Sequence, residues 1–245
     1  MKLIYFPIWL IYRAWFYVLV GVCTFLLSPF LILSILKASW YPYFYKIARL
    51  WSLFILAGMG FCWSIEWDQE LEKGQSYIFV ANHTSMIDIM LMFAVIKHHP
   101  LVFVGKIELA KIPLFGFFYK RTSILVDRSN YSSRKAVFNQ AQKRIQQGLS
   151  ICIFPEGGVP KESVPLDQFK IGAFRLSVDH QLPLVPITFF DNKKRFSYTF
   201  FSGSPGKMRA RAHPFLDPKD FSLKSLKVMS DNVYKLILKS LENLA

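Results

Sequence analysis

Apolar and polar positions divide the chain into two textures. From Ala14 to Leu36 ("AWFYVLVGVCTFLLSPFLILSIL") no charged residue occurs. A helix of that length matches the ~20 apolar residues needed to cross a bilayer core. The run is too long for a signal peptide, and no small-residue cleavage site follows it. A second, shorter apolar segment runs from Leu50 to Trp63, and Trp40, Tyr41, Tyr43, Tyr45 and Trp51 crowd the joint between the two. Such aromatic residues favour the headgroup level. Residues 1–63 therefore read as a membrane-associated two-helix anchor, either one spanning helix or a helical hairpin embedded in one leaflet. A pair of buried core helices is the competing reading. Lys2 and Arg13 precede the first run, while Lys37, Lys46 and Arg49 follow it, so flanking charge sets no orientation.

From about Ser64 the pattern changes, and residues 64–245 read as one α/β domain. Short apolar runs without alternation fall at 77–81 ("YIFVA"), 101–105, 123–127, 150–154 and 184–190. Helical spacing fills 86–97, 130–147 and 170–180, with a last amphipathic stretch near 222–244. Continuous apolar strands separated by helices predict a mostly parallel central sheet flanked by helices. In such sheets the working residues lie at the carboxyl ends of strands.

Composition sharpens the membrane reading. The 245 residues are 53% hydrophobic with a mean hydropathy of +0.28, yet the net charge is +14 and the pI about 9.7. A basic, apolar chain suits an anionic membrane surface. Nucleic acid would account for the charge but not for the hydrophobicity, and no zinc-finger spacing, RNA-binding motif or basic helix is present. Cys23, Cys62 and Cys152 are odd in number and far apart, which implies neither a disulfide framework nor a metal site.

Polar clusters follow the predicted strands. After 77–81 comes "NHTSMID", with His83 and Asp88. Five positions apart on one straight helix they would face about 140° away from each other, but a loop-to-helix junction lets His83 fold back. Ser85 as N-cap with Asp88 as its N3 partner accounts for the acid. It does not account for the histidine. A carboxylate that fixes the imidazole tautomer, leaving the other nitrogen free as a base, accounts for both. Lys106 follows the second strand and is either a phosphate contact or a solvated lysine. Arg128 follows the third and either binds an anion or pairs with Asp127. Glu156, Gly157 and Gly158 follow the fourth: the glycines allow backbone N–H groups to approach an anion, and the acid either orients a hydroxyl, holds Arg128, or lies exposed in a plain turn.

Taken in order, these clusters resemble the four blocks of the glycerolipid acyltransferase family typified by 1-acylglycerol-3-phosphate (lysophosphatidic acid) acyltransferase. "NHTSMID" resembles the first. The second is matched by 104–129, with Lys106, Glu108, Pro113, Gly116 and Arg128. "FPEGG" resembles the third and "LVPI", with Pro186, the fourth; "FKIGAFRLS" (169–177) is a further familiar segment. The resemblance covers about 77–190. It implies transfer of a fatty acyl group from acyl-CoA or acyl carrier protein to the hydroxyl of lysophosphatidic acid, giving phosphatidic acid.

In that reading His83 is the general base and Asp88 its orienting partner, with Arg128, Glu156, Gly157, Gly158 and Lys106 binding the acceptor. No metal or other cofactor is implied. The partners are membrane phospholipids, the lysophospholipid and the thioester donor, with no nucleic acid. The place is the cell membrane, with the catalytic domain on the cytoplasmic face. One departure bears on the acceptor: Gly158, Val159 and Pro160 stand where the third block usually reads Thr-Arg-Ser, so a phosphate-facing arginine is missing and Lys161 or Lys170 would have to take its place. The alternatives are an acyltransferase of the same family acting on another lysolipid, and a non-catalytic membrane lipid-binding protein.

Overall fold

The structure, a computed structural model, describes residues 2–112, 115–127 and 130–243. Its elements are α1 (Lys2–Ser34), α2 (Tyr41–Gly58), β1 (Phe61–Trp67), β2 (Ile78–Ala81), α3 (Asp88–Val95), β3 (Leu101–Lys106), α4 (Phe115–Thr122), β4 (Ile124–Val126), α5 (Tyr131–Ile145), β5 (Ser150–Ile153), α6 (Gly172–His180), β6 (Leu184–Phe189), α7 (Asn192–Phe196), β7 (Gly206–Ala212) and α8 (Leu226–Glu242).

The strands form one seven-stranded sheet in the order β1-β7-β6-β2-β5-β3-β4. Every neighbouring pair is parallel except β6 and β7. The mostly parallel α/β sheet is therefore the one expected. At its centre Ile78 of β2 lies opposite Ile151 on one side and Leu184 on the other. All four residues of β2 are buried, as covering both faces of a parallel sheet requires.

Two strands, β1 and β7, fall outside the expected set, because they alternate. In β7 Met208, Ala210 and Ala212 point inward while Arg209 and Arg211 carry charge outward. A search for continuous apolar runs passes over such a strand. The expected helix at 86–97 also starts later, at Asp88, with Ile87 at the N-cap position and no side-chain cap. Ser85 lies two positions before that N-cap yet makes the expected capping bonds: its Oγ accepts from the Ile87 N–H (3.2 Å) and its own N–H donates to Asp88 Oδ2 (2.8 Å), while its hydroxyl donates to the Phe196 carbonyl.

The two N-terminal helices differ in kind. α2 starts nine residues before the expected apolar segment, and its inner face belongs to the core. Tyr41, Phe44, Tyr45, Ala48, Ser52, Ile55 and Leu56 are buried. The hydroxyl of Tyr45 donates to the Ile96 carbonyl (2.8 Å) and that of Tyr41 to the Leu101 carbonyl (2.9 Å), so both tyrosines satisfy their polar tips. A turn through Gly60 (φ 73°) leads directly into β1, which runs across position 63.

α1 instead packs one stripe on α2 and leaves Ile11, Val18, Val22, Phe25, Leu26 and Phe30 exposed. Among the described residues it is the one helix long and apolar enough to cross a membrane. At 1.5 Å per residue its 33 residues extend about 50 Å, more than the ~30 Å of a hydrocarbon core. Two exposed positions test its role without touching the core. Val18→Asp with Val22→Asp should release the folded protein from neutral vesicles, since each acid costs about 3 kcal/mol at the middle of a membrane helix. Unchanged partitioning in a flotation assay would remove α1 as the anchor.

Candidate active site

The carboxyl ends of five adjacent parallel strands converge at one edge of the sheet. β2 delivers the loop 82–87, β5 the loop 154–158, β3 ends at Lys106, and β6 leads into α7. Arg128, expected after β4, lies outside the described residues, as does Pro113.

His83 sits in the loop after β2 and Asp88 in the first turn of α3. His83 Nδ1 lies 2.8 Å from Asp88 Oδ2. The same oxygen accepts from the backbone N–H of Thr84 (2.7 Å) and Ser85 (2.8 Å). Asp88 Oδ1 accepts from Asn192 Nδ2 (2.6 Å). Asp88 is fully buried, and these four donors hold it as an acceptor. An acceptor at Oδ2 puts the imidazole proton on Nδ1, and no hydrogen bond among the described residues engages Nε2. The imidazole is half-buried and stacks on Phe154 (4.2 Å between centroids, 18° between planes), with Tyr198 edge-on at 6.4 Å.

Glu156 takes a different part from that of an exposed turn residue. Only 4% exposed, it accepts from the backbone N–H of His83 at Oε1 (2.7 Å) and of Asp167 at Oε2 (2.8 Å). It thereby ties the histidine's own backbone to the loop that follows β5. Burial pushes its pKa up to about 7, against these two bonds and the nearby His83, which favour the carboxylate. A folded-state value above the ordinary 4.5 means that this contribution to stability is complete below about pH 4.5 and is lost as pH rises through 7. Glu156→Gln, neutral throughout, should flatten that limb, which thermal unfolding between pH 5 and 8 would show as a loss of slope on the order of 2 kcal/mol.

The glycine pair works by absence of side chains. Gly157 has φ 77°, and a Cβ there would run into the Lys170 side chain. Gly158 has open space apart from Lys106 Nζ, 3.9 Å from where its Cβ would stand. Lys106 and Lys170 thus reach the Gly157–Gly158 turn, and the Lys170 backbone N–H donates to the Pro155 carbonyl (2.8 Å). Lys161 is exposed on the following loop. Gly116, by contrast, is structural: a Cβ there would collide with the Ala110 carbonyl.

Asn192 escaped the reading of the sequence. It lies in "FFDNKKRF", which looks like a charged turn, and its place beside Asp88 follows only from β6 pairing with β2. Asp191 helps fix it. Its carboxylate takes a two-pronged bond from Arg209 (2.8 and 2.8 Å), which holds the acid below the usual carboxylate range despite its burial. Among the described residues no cluster of three or more His, Cys, Asp or Glu side chains is placed to hold a metal ion.

The acyltransferase family profile matches residues 64–190, just over half of the chain. A protein of Mycoplasma pneumoniae named probable 1-acyl-sn-glycerol-3-phosphate acyltransferase is 28% identical over 205 residues, covering 79% of this chain and 76% of that one. The 1-acyl-sn-glycerol-3-phosphate acyltransferase of Salmonella typhimurium is 38% identical over 123 residues, about half of either chain (48% of each). Among solved structures, the Thermotoga maritima 1-acyl-sn-glycerophosphate acyltransferase PlsC superposes with a TM-score of 0.79 over 100% of this chain and 98% of that one, at 22% identity, which establishes a shared fold. The matched profile covers more than half of the chain, and the chain belongs to the acyltransferase family.

Proposed function

We propose that the protein transfers a fatty acyl group from acyl-CoA or acyl carrier protein to the free hydroxyl of lysophosphatidic acid, giving phosphatidic acid, with residues 64–245 working at the cytoplasmic face of the cell membrane and α1 as the anchor. The observation that carries the reading is the His83–Asp88 pair at the strand ends, with Nδ1 engaged and no hydrogen bond at Nε2 among the described residues.

In this mechanism Nε2 of His83 takes the proton of the acceptor hydroxyl as its oxygen attacks the thioester carbonyl. Asp88 stabilises the imidazolium that forms. The tetrahedral intermediate collapses, the C–S bond breaks, and the departing thiolate takes the proton back from Nε2. The enzyme returns to its starting state. Both names given to relatives, and the membrane helix, fit a lipid acceptor.

The acceptor phosphate falls to Lys106, Lys170 and the Gly157–Gly158 turn, with Arg128 assigned to it by its motif. A phosphomonoester carries up to two negative charges, and desolvating it without cations is costly. With Val159 where an arginine is usual, Arg128 and the two lysines share the load. Arg128→Ala should raise the KM for lysophosphatidic acid about tenfold or more and leave the donor KM nearly unchanged, the loss of one charge-assisted bond being worth roughly 1.5–3 kcal/mol.

The deciding experiment gives purified protein a labelled acyl-CoA or acyl carrier protein and a panel of lysolipids. Phosphatidic acid should form, and His83→Ala should abolish it. Val159 also favours a second reading, a lysolipid without a terminal phosphate; preference for such an acceptor, with Arg128→Ala silent, would move the assignment there. Absence of transfer to every acceptor would leave a lipid-binding protein.

A further inference from the structure

Arg13 stands in the apolar α1 and is 2% exposed. Among the described residues it has no carboxylate partner. Its guanidinium instead donates to three carbonyl groups of one segment: Nη2 to Ser197 (2.5 Å) and Thr199 (2.6 Å), and Nε to Phe200 (3.0 Å). It also lies over the Phe196 ring, 4.0 Å from the centroid, where a cation is attracted to the ring face. A buried charge is costly unless hydrogen-bonded, so an arginine that places all its bonds on one strap of chain fixes that strap firmly. Phe16, one turn further along α1, packs tilted at 43° against the same Phe196 ring, 4.6 Å between centroids.

The other side of the strap bears on the dyad. Asn192, at its start, donates to Asp88 Oδ1. The Phe196 carbonyl accepts from Ser85 Oγ. Ser197 forms an isolated backbone bridge with Ser85, whose own N–H donates to Asp88 Oδ2. Tyr198 then stands edge-on to His83. The segment 192–200 thus touches Asp88, Ser85 and His83 on one face and Arg13 on the other.

We propose that Arg13 is a positioning residue: through 192–200 the membrane helix holds the His83–Asp88 pair in register, so that α1 completes the active centre as well as anchoring it. The inference rests on the dyad reading above. It separates two roles of α1, because the exposed stripe faces the lipid while Arg13 faces the strap. No bond runs from the strap to Lys106, Lys170 or Gly157 among the described residues. Loosening it should therefore slow the chemistry without weakening substrate binding.

The test uses full-length protein in vesicles, with rates normalised to the folded, membrane-bound fraction. Arg13→Met keeps the stem and removes the donors. It should lower kcat about ten- to a hundredfold, the scale of a misplaced catalytic group, with both KM values and vesicle partitioning unchanged. Arg13→Lys, which keeps the charge but not the fork, should fall between. A merely structural arginine would change the amount of folded protein and not its kcat. Wild-type kcat in folded Arg13→Met, or a change confined to KM, overturns the proposal. Should Arg13→Met not fold, Arg13→Lys decides: at least a threefold lower kcat supports the role, and wild-type kcat ends it. His83→Ala in the same assay keeps the two ideas apart, because full activity there rejects the dyad itself, whereas an inactive His83→Ala beside a fully active Arg13→Met rejects only the strap.

Discussion

Replacing His83 with alanine should lower acyl transfer by about 10²–10⁴-fold, the usual contribution of a positioned general base, and leave the fold in place. The structure explains why the second half holds. The imidazole is one of three donors to Asp88 Oδ2; the N–H groups of Thr84 and Ser85 still reach that oxygen, and Asn192 still reaches the other. Glu156 bonds the backbone of residue 83 and not its ring, so that tie survives too. The lost stacking on Phe154 is a modest term of about 1 kcal/mol. Circular dichroism and thermal unfolding should therefore match wild type, and the loss should appear in turnover. Near wild-type turnover in purified His83→Ala would falsify the mechanism.

What could be read ahead of the structure divides by the range of the interaction. His83 and Asp88 were legible because polar residues stand out where one apolar strand hands over to a helix, and because their partnership spans five positions. The parallel core was legible for the same reason: buried strands such as 78–81 are continuous apolar runs. What stayed hidden depends on distant pairings. Asn192 reaches Asp88 across 104 positions and Arg13 reaches Ser197 across 184. A lone arginine at the head of an apolar run reads as a flanking charge, while the fold buries it. The ties from Glu156 to the His83 and Asp167 backbones stay hidden too, since bonds to backbone N–H groups leave no trace in the pattern of side chains. The buried inner face of α2 is hidden for another reason: burial in protein and burial in lipid select the same residues.

Asp88→Asn should cost at least about 10²-fold in kcat and yet fold, whereas Asp88→Ala should unfold or nearly so. The difference lies in four donors. Alanine strands the N–H groups of Thr84 and Ser85 and the Asn192 amide in a fully buried site, at roughly 1–3 kcal/mol each, a large part of a typical domain's 5–15 kcal/mol. Asparagine has the same shape. Its oxygen can stand at the Oδ2 position and keep the three donors there, including His83 Nδ1. Its NH₂ group then faces the Asn192 NH₂. That conflict has a ready escape, because Asn192 Oδ1 is buried without a hydrogen-bond partner; a flip of the Asn192 amide presents this oxygen to the new donor. The imidazole tautomer is then retained and the negative charge alone is lost. Without that charge the imidazolium formed during proton transfer is less well stabilised, so kcat falls. Stability measured beside the kinetics separates the parts of this account. Asp88→Asn as unstable as Asp88→Ala rejects the Asn192 flip, and Asp88→Asn with nearly full kcat shows that the carboxylate orients the imidazole without its charge contributing.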